Sequence, residues 1–257
     1  VIDPFGPRSV ASTVANQTAY SFAASAFDVL AAYSVLAERP EIDAARIGAQ
    51  GHSRGGSAVV TAATRRFADP IVGPDRGLAG VYAVYPWCGH QFLAPSTGST
   101  VVRAIIGDRD EWCSVQEAQG LVHAIRAGGG TASIRIVPGA HHSFDRLEAP
   151  HTIEEASVAP TAPTVMLADD GAMIAPGSDS PDATLTDRDL FVAAVQAGFG
   201  RRGATIGGVG DQPQLFTDDM LDFHRSWSGI GLGRCSATDV RRIGPRRSSC
   251  SAAALVT

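Results

Sequence analysis

The chain of 257 residues has no lysine, and all 21 of its basic residues are arginine. That absence excludes chemistry that needs a Schiff-base lysine or the lysine of a phosphate-binding loop. No apolar run reaches the roughly 20 residues that a membrane-spanning helix requires, and no signal-peptide pattern is visible at the start. Cysteine is sparse. Cys88, Cys113, Cys235 and Cys250 form no Cys-x-x-Cys pair, so no metal site is expected, and buried free thiols or an oxidised pair both remain open. A formal net charge of -5 and a pI near 5.8 give no electrostatic reason to expect nucleic acid or an anionic membrane as the main partner. The first residue is Val1, and VID reads as the end of a strand already under way, so further residues upstream are expected.

With 44% apolar and 18% charged residues the chain can bury a full core, most simply in one large domain. Between Ala19 and Ala37, Phe22, Ala26, Val29, Leu30 and Tyr33 recur at helical steps, and Pro40 follows. Strands are predicted at ARIGAQ, GLAGVYAVYP, STVVRAIIG and TASIRIVPG, separated by helices over 56–67 and 116–127. This alternation over residues 41–145 predicts a parallel sheet with helices on both faces. Residues 149–183 read as an irregular connection. Residues 186–200 and 217–227 read as two threonine-capped helices that cover the sheet. The domain is expected to span residues 1–227. The stretch 228–257 has five arginines against one aspartate and is expected to pack poorly.

The stretch GHSRGG, residues 51–56, places Ser53 between a predicted strand and a predicted helix. A Gly-x-Ser-x-Gly in that position is the signature of a nucleophile elbow, whose tight turn calls for Gly51 and Gly55 to lack side chains. The helix N-terminus then directs backbone N–H groups, that of Arg54 first, toward a developing oxyanion. A nucleophilic serine needs a base and an orienting acid, here in the chain order serine, acid, histidine. Candidates fall in loops at the same sheet edge: Asp108, Asp110 and Glu111 in GDRDEW, and His141 and His142 in AHHSFD. His52, His90, His123, His151 and His224 show no ligand spacing and read as ordinary histidines. Phe5 and Trp87 are candidates to line a substrate pocket.

On GHSRGG, the G-x-x-D at Gly107 to Asp110 and the A-x-H-x-F-D at Ala140 to Asp145, residues 1–145 resemble the dienelactone hydrolase branch of the α/β-hydrolases. The resemblance implies an α/β-hydrolase fold, with Ser53 as nucleophile, Asp110 as acid and His142 as base. Dienelactone hydrolases proper carry cysteine at the elbow; serine is more similar to the carboxylesterase members. The implied activity is therefore hydrolysis of a small-molecule carboxylic ester, or of a polyester, without a cofactor. Relatives often carry cysteines near Cys88 and Cys113 and many are exported, which implies a Cys88–Cys113 disulfide and a secreted or periplasmic protein. The family also has strands before the elbow strand, and one of their loops carries the second oxyanion donor, so the expected fold is N-terminally incomplete. The alternative is a truncated or noncatalytic scaffold that pairs an open sheet edge with a partner chain.

Overall fold

A computed structural model describes residues 1–228 and the strand at Leu255–Val256. The rest of the arginine-rich stretch, residues 229–254 and 257, lies outside the described residues, and so does the expectation that it packs poorly. The first helix, α1 (Phe22–Ala37), starts where the Ser21 hydroxyl accepts the Ala24 N–H at 3.1 Å, and it buries Ala26, Val29, Leu30 and Tyr33. Then come β1 (Gly48–His52), α2 (Arg54–Ala63), α3 (Arg65–Val72), β2 (Gly80–Val84), β3 (His90–Phe92), β4 (Val101–Gly107), α4 (Val115–Ala127) and β5 (Ala132–Val137). The single helix expected over 56–67 is two, because Thr64 takes an extended conformation and the Arg65 N–H leaves for the Ser96 carbonyl.

Strands β1, β2, β4 and β5 pair in parallel in that order, and β10 (Leu255–Val256) pairs in parallel with β1. The sheet edge expected to be open to a partner is occupied at Gly48 and Ala49 by residues of the same chain. Parallel pairing with helical crossovers brings every connecting loop out at the same two sheet edges. The main apolar core, with Ala49, Val81, Ala83, Val102, Ala104 and Ile106, is nearly continuous, as a sheet covered on both faces requires.

The opposite face is covered by α6 (Gln212–Ser228), which begins five residues before the predicted 217–227. Thr217 is not its cap; its hydroxyl donates to the Pro213 carbonyl inside the helix. Trp227 lies flat on Gly48 and Gly80, where a methyl group would collide with the indole. Earlier on α6, Asp219, 7% exposed, accepts hydrogen bonds from Tyr82 at 3.0 Å, Arg103 Nε at 3.1 Å and Arg135 at 3.0 Å.

The region 149–183 is not merely irregular. It forms β6 (His151–Val158), β7 (Val165–Leu167) and β8 (Met173–Ile174). After α5 (Asp187–Gln196), β9 (Arg201–Ile206) returns to pair antiparallel with β6, while β3, β7 and β8 make a third small sheet. These strands are partly exposed and short of apolar alternation, and apart from the local β7–β8 hairpin their partners lie far off in sequence.

Burial alone would raise the Asp219 carboxyl, but hydrogen bonds from Arg103 and Arg135 outweigh it and hold it below the usual carboxylate range. Its contribution is thus complete at neutral pH and is lost as pH falls through the folded pKa. Removing the acid leaves two guanidiniums without their partner. Discounted for the exposure of the arginines, Asp219→Ala is expected to destabilise by about 2 kcal/mol at pH 7, a loss that urea unfolding will read and that narrows toward zero in strong acid.

Candidate active site

Strand β1 ends at His52, and Ser53 sits at φ 54° and ψ -116° before α2 begins at Arg54. Few non-glycine residues adopt such a backbone, and it costs on the order of 1–3 kcal/mol. It is held because the Ser53 N–H donates to the Val84 carbonyl at 2.9 Å and the first turn of α2 lies directly on the end of β1. A methyl group on Gly51 would overlap the Gly55 carbonyl, and one on Gly56 would stand 2.9 Å from the Val84 oxygen. At Gly55 a methyl group would meet nothing, so the close approaches are at Gly51 and Gly56 rather than at Gly51 and Gly55.

From this elbow the Ser53 hydroxyl reaches His142 Nε2 at 2.9 Å, and His142 Nδ1 lies 2.8 Å from Asp110 Oδ2. With Nδ1 protonated, the ring donates to the carboxylate and accepts from the hydroxyl. Asp110 follows β4 and His142 follows β5, so all three side chains stand at the C-terminal edge of the sheet. The other Asp110 oxygen accepts the backbone N–H groups of Trp112 at 2.8 Å and Cys113 at 2.9 Å. Those bonds offset the burial of a carboxylate whose side chain is 0% exposed. Asp108 instead accepts the Gly139 N–H at 2.6 Å, and Glu111 accepts the Thr205 N–H at 2.8 Å, so neither reaches the imidazole.

The imidazole is held between two rings: Trp112 stacks on it at 5.4 Å and 19°, and Tyr85 approaches to 4.5 Å. The Tyr85 hydroxyl donates to Asp145 at 2.7 Å, and burial first, then the Asp145 charge, pushes its pKa far up. Arg54 opens α2, so its N–H is among those of the first turn that have no intrahelical acceptor. Its side chain donates to the Tyr20 carbonyl at 2.8 Å and to the Gln17 carbonyl, and lies 4.1 Å over the Phe22 ring. Burial lowers this guanidinium to about 10.

A cavity of about 300 Å³ opens on Ser53. Trp87 lines it as expected, stacked on Phe22 at 4.2 Å. Phe5 does not. Asp3 accepts the N–H groups of Phe5 and Gly6, and that turn directs the Phe5 ring edge-on to Tyr20 instead. Helix α5 was expected on the sheet, but none of its residues is buried. It roofs the cavity with Leu190, Phe191, Ala193 and Ala194. Asp187 at its start accepts the Phe22 N–H at 2.8 Å and lies 3.7 Å from His90, whose pKa burial lowers. Sequence reasoning missed Phe22, His90, Trp112, Glu117 and the α5 residues as cavity walls, since nothing local marks them. The threonine cap followed by acids marked the start of α5, though not its place, and Thr186 and Asp189 form a capping box there.

Cys88 and Cys113 are free and buried, not the disulfide expected. The Cys88 thiol points to the Pro86 carbonyl at 3.7 Å, and Cys113 stands beside the Asp110–His142 pair. Among the described residues, Asp110, Cys113 and His142 bring possible metal-ligand atoms within 4.8 Å of one another. Two of those atoms already bond each other, and burial holds the Cys113 thiol protonated far above its ordinary range. This makes the trio a poor metal cradle.

Residues 9–162 match the dienelactone hydrolase family. The chain belongs to the dienelactone hydrolase family. It has an α/β-hydrolase fold. Among solved structures it is similar to a thermophilic esterase, Est2 of Thermogutta terrifontis, with 15% identity over 49% of this chain and 58% of that one and a TM-score of 0.39. It is also similar to acyl-protein thioesterase 2 of Zea mays, with 14% identity over 47% and 58% and a TM-score of 0.37. Dipeptidyl peptidase 4 of Porphyromonas gingivalis shares 16% identity over 51% of this chain and 21% of its own, with a TM-score of 0.39. The chain thus spans little more than half the length of the two thioesterase- and esterase-named relatives and about a fifth of the peptidase. A search of the curated proteins finds no match.

Two outcomes follow for this dienelactone hydrolase family member. Gly51→Ala drives a methyl group into the Gly55 carbonyl and is expected to cost about 2–3 kcal/mol, whereas Gly55→Ala is expected to stay within about 1 kcal/mol of the parent; thermal melts of both will tell. Glu117, a cavity wall with a Thr164 contact at 3.5 Å, is raised by burial to about 7. A raised carboxyl pKa means that the folded state holds the proton longer than the unfolded one, so stability declines as pH rises from about 4.5 to about 7 and the penalty is complete above that. Glu117→Gln is therefore expected to stabilise by about 1–3 kcal/mol at pH 8 and by nothing measurable at pH 4.

Proposed function

We propose that the protein is a serine hydrolase that cleaves carboxylic esters through an acyl-enzyme, with Ser53, His142 and Asp110 as its triad. The observation that carries this is the unbroken chain of hydrogen-bond distances, 2.9 Å from hydroxyl to imidazole and 2.8 Å from imidazole to carboxylate, at the mouth of an apolar cavity. Family membership and the fold support a hydrolase; the ester and the triad are inferred from the chemistry of the site.

The Ser53 oxygen attacks the ester carbonyl as His142 Nε2 takes its proton, and Asp110 stabilises the imidazolium that forms. Negative charge then develops on the former carbonyl oxygen, within reach of the Arg54 amide at the N-terminal end of α2. His142 returns the proton to the leaving alkoxide, so the alcohol departs and an acyl group remains on Ser53. Water repeats the sequence with the imidazole as base, and the carboxylic acid is released. The aromatic and aliphatic walls suit an acyl or alcohol group of moderate size with few polar atoms.

Fluorophosphonate treatment is expected to add one phosphonyl group at Ser53, located by peptide mass, and p-nitrophenyl butyrate to be hydrolysed. Ser53→Ala should lower kcat by at least about 10³-fold and abolish labelling. Turnover that survives in Ser53→Ala would sink the assignment.

A further inference from the structure

The cavity over Ser53 shares two of its walls, Thr18 and Phe191, with a second and more open space on the other side of α5. This groove of about 560 Å³ runs between α5, the loop at residues 15–18 and the adjoining ends of β6 and β9. Its floor is apolar. Besides Phe191 it presents Val192 and Val195, 42% and 45% exposed. Its rim carries three guanidiniums, those of Arg188, Arg201 and Arg202.

The charge on that rim is poorly compensated. Arg201 pairs with Glu111 at 3.1 Å. Arg202 donates to the Glu155 backbone carbonyl at 3.0 Å, which satisfies one N–H and neutralises nothing. Arg188 makes no hydrogen bond or ion pair with the described residues; its charge is felt only by the adjacent Asp189, which is held by the N–H and hydroxyl of Thr186. An apolar strip flanked by guanidiniums with hydrogen-bond donors to spare matches one kind of small molecule, an aliphatic chain that ends in an oxyanion.

Resting on the ester-hydrolase reading, we propose that the groove is a second subsite and that the substrates are esters with an anionic far end. The reacting carbonyl lies at Ser53, methylenes pass over Thr18 and Phe191 along Val192 and Val195, and a carboxylate or phosphate is held by Arg188 and Arg202.

The test compares p-nitrophenyl half-esters of glutaric, adipic and suberic acid with the same compounds capped as methyl esters, so that charge is the only difference. A second arm uses the ω-phosphate analogue of the longest member. In either arm, kcat/KM is expected to be roughly threefold to tenfold higher for the charged substrate, to grow with chain length, and to fade as salt rises from about 0.02 to about 0.5 M. Arg188→Gln, at a side chain that makes no hydrogen bond or ion pair with the described residues, should lose most of the preference, and R188Q/R202Q all of it. Hydrolysis of the capped esters should be unchanged in both variants. Equal rates for charged and capped substrates in the parent, or a preference that persists in R188Q/R202Q, would overturn the subsite while leaving the esterase in place. If the capped esters are also untouched, the esterase itself fails and the subsite with it.

Discussion

The site depends on one backbone contact, the seating of the first turn of α2 on the end of β1. Gly51 and Gly56 let the carbonyls of Gly55 and Val84 approach where no side chain fits. That approach, together with the bond from the Ser53 amide to the Val84 carbonyl, leaves Ser53 with a positive φ. The strain is local and small beside the burial of the sheet, so the fold can sustain it. Its effect is to lift the hydroxyl clear of the sheet edge, within 2.9 Å of an imidazole that arrives 89 residues later. The same turn places the Arg54 amide at the positive end of a helix.

The carboxyl groups near the cavity differ because their surroundings differ. Asp110 is fully enclosed, yet it has three donors, from His142, Trp112 and Cys113, so its charge is paid for by directed bonds. Glu117, in the first turn of α4, has a single long contact to Thr164, and burial then prevails and favours the neutral acid. Asp187 accepts the Phe22 amide and stands close to His90 and the roof of the cavity. On the far face of the sheet Asp219 has three donors of its own and ties α6 to β2, β4 and β5. Charge on that face serves the packing of a helix.

Short-range chemistry was readable in the sequence. The elbow, the order of serine, acid and histidine, the four parallel strands and the threonine cap of α5 each depend on residues within one turn or one strand, where periodicity and cap chemistry are explicit. The choice of Asp110 over Asp108 and of His142 over His141 came instead from the family resemblance; Asp110 lies 2.8 Å from His142, whereas Asp108 bonds the Gly139 amide. The β6–β9 ribbon was not legible, because some 40 residues separate partners that look irregular on their own, and an exposed pair lacks apolar alternation.

The sequence by itself determined that a hydroxyl, an imidazole and a carboxylate would emerge at one edge of a parallel sheet, since alternating strands and helices leave no other place for those loops. Only the tertiary structure decided what surrounds them. It turned α5 into the roof of a cavity, sent Phe5 to Tyr20, left Cys88 and Cys113 as buried free thiols, and put three arginines beside an apolar strip. These outcomes rest on contacts between distant segments, whose free energies depend on shape and burial and leave no local pattern in the chain.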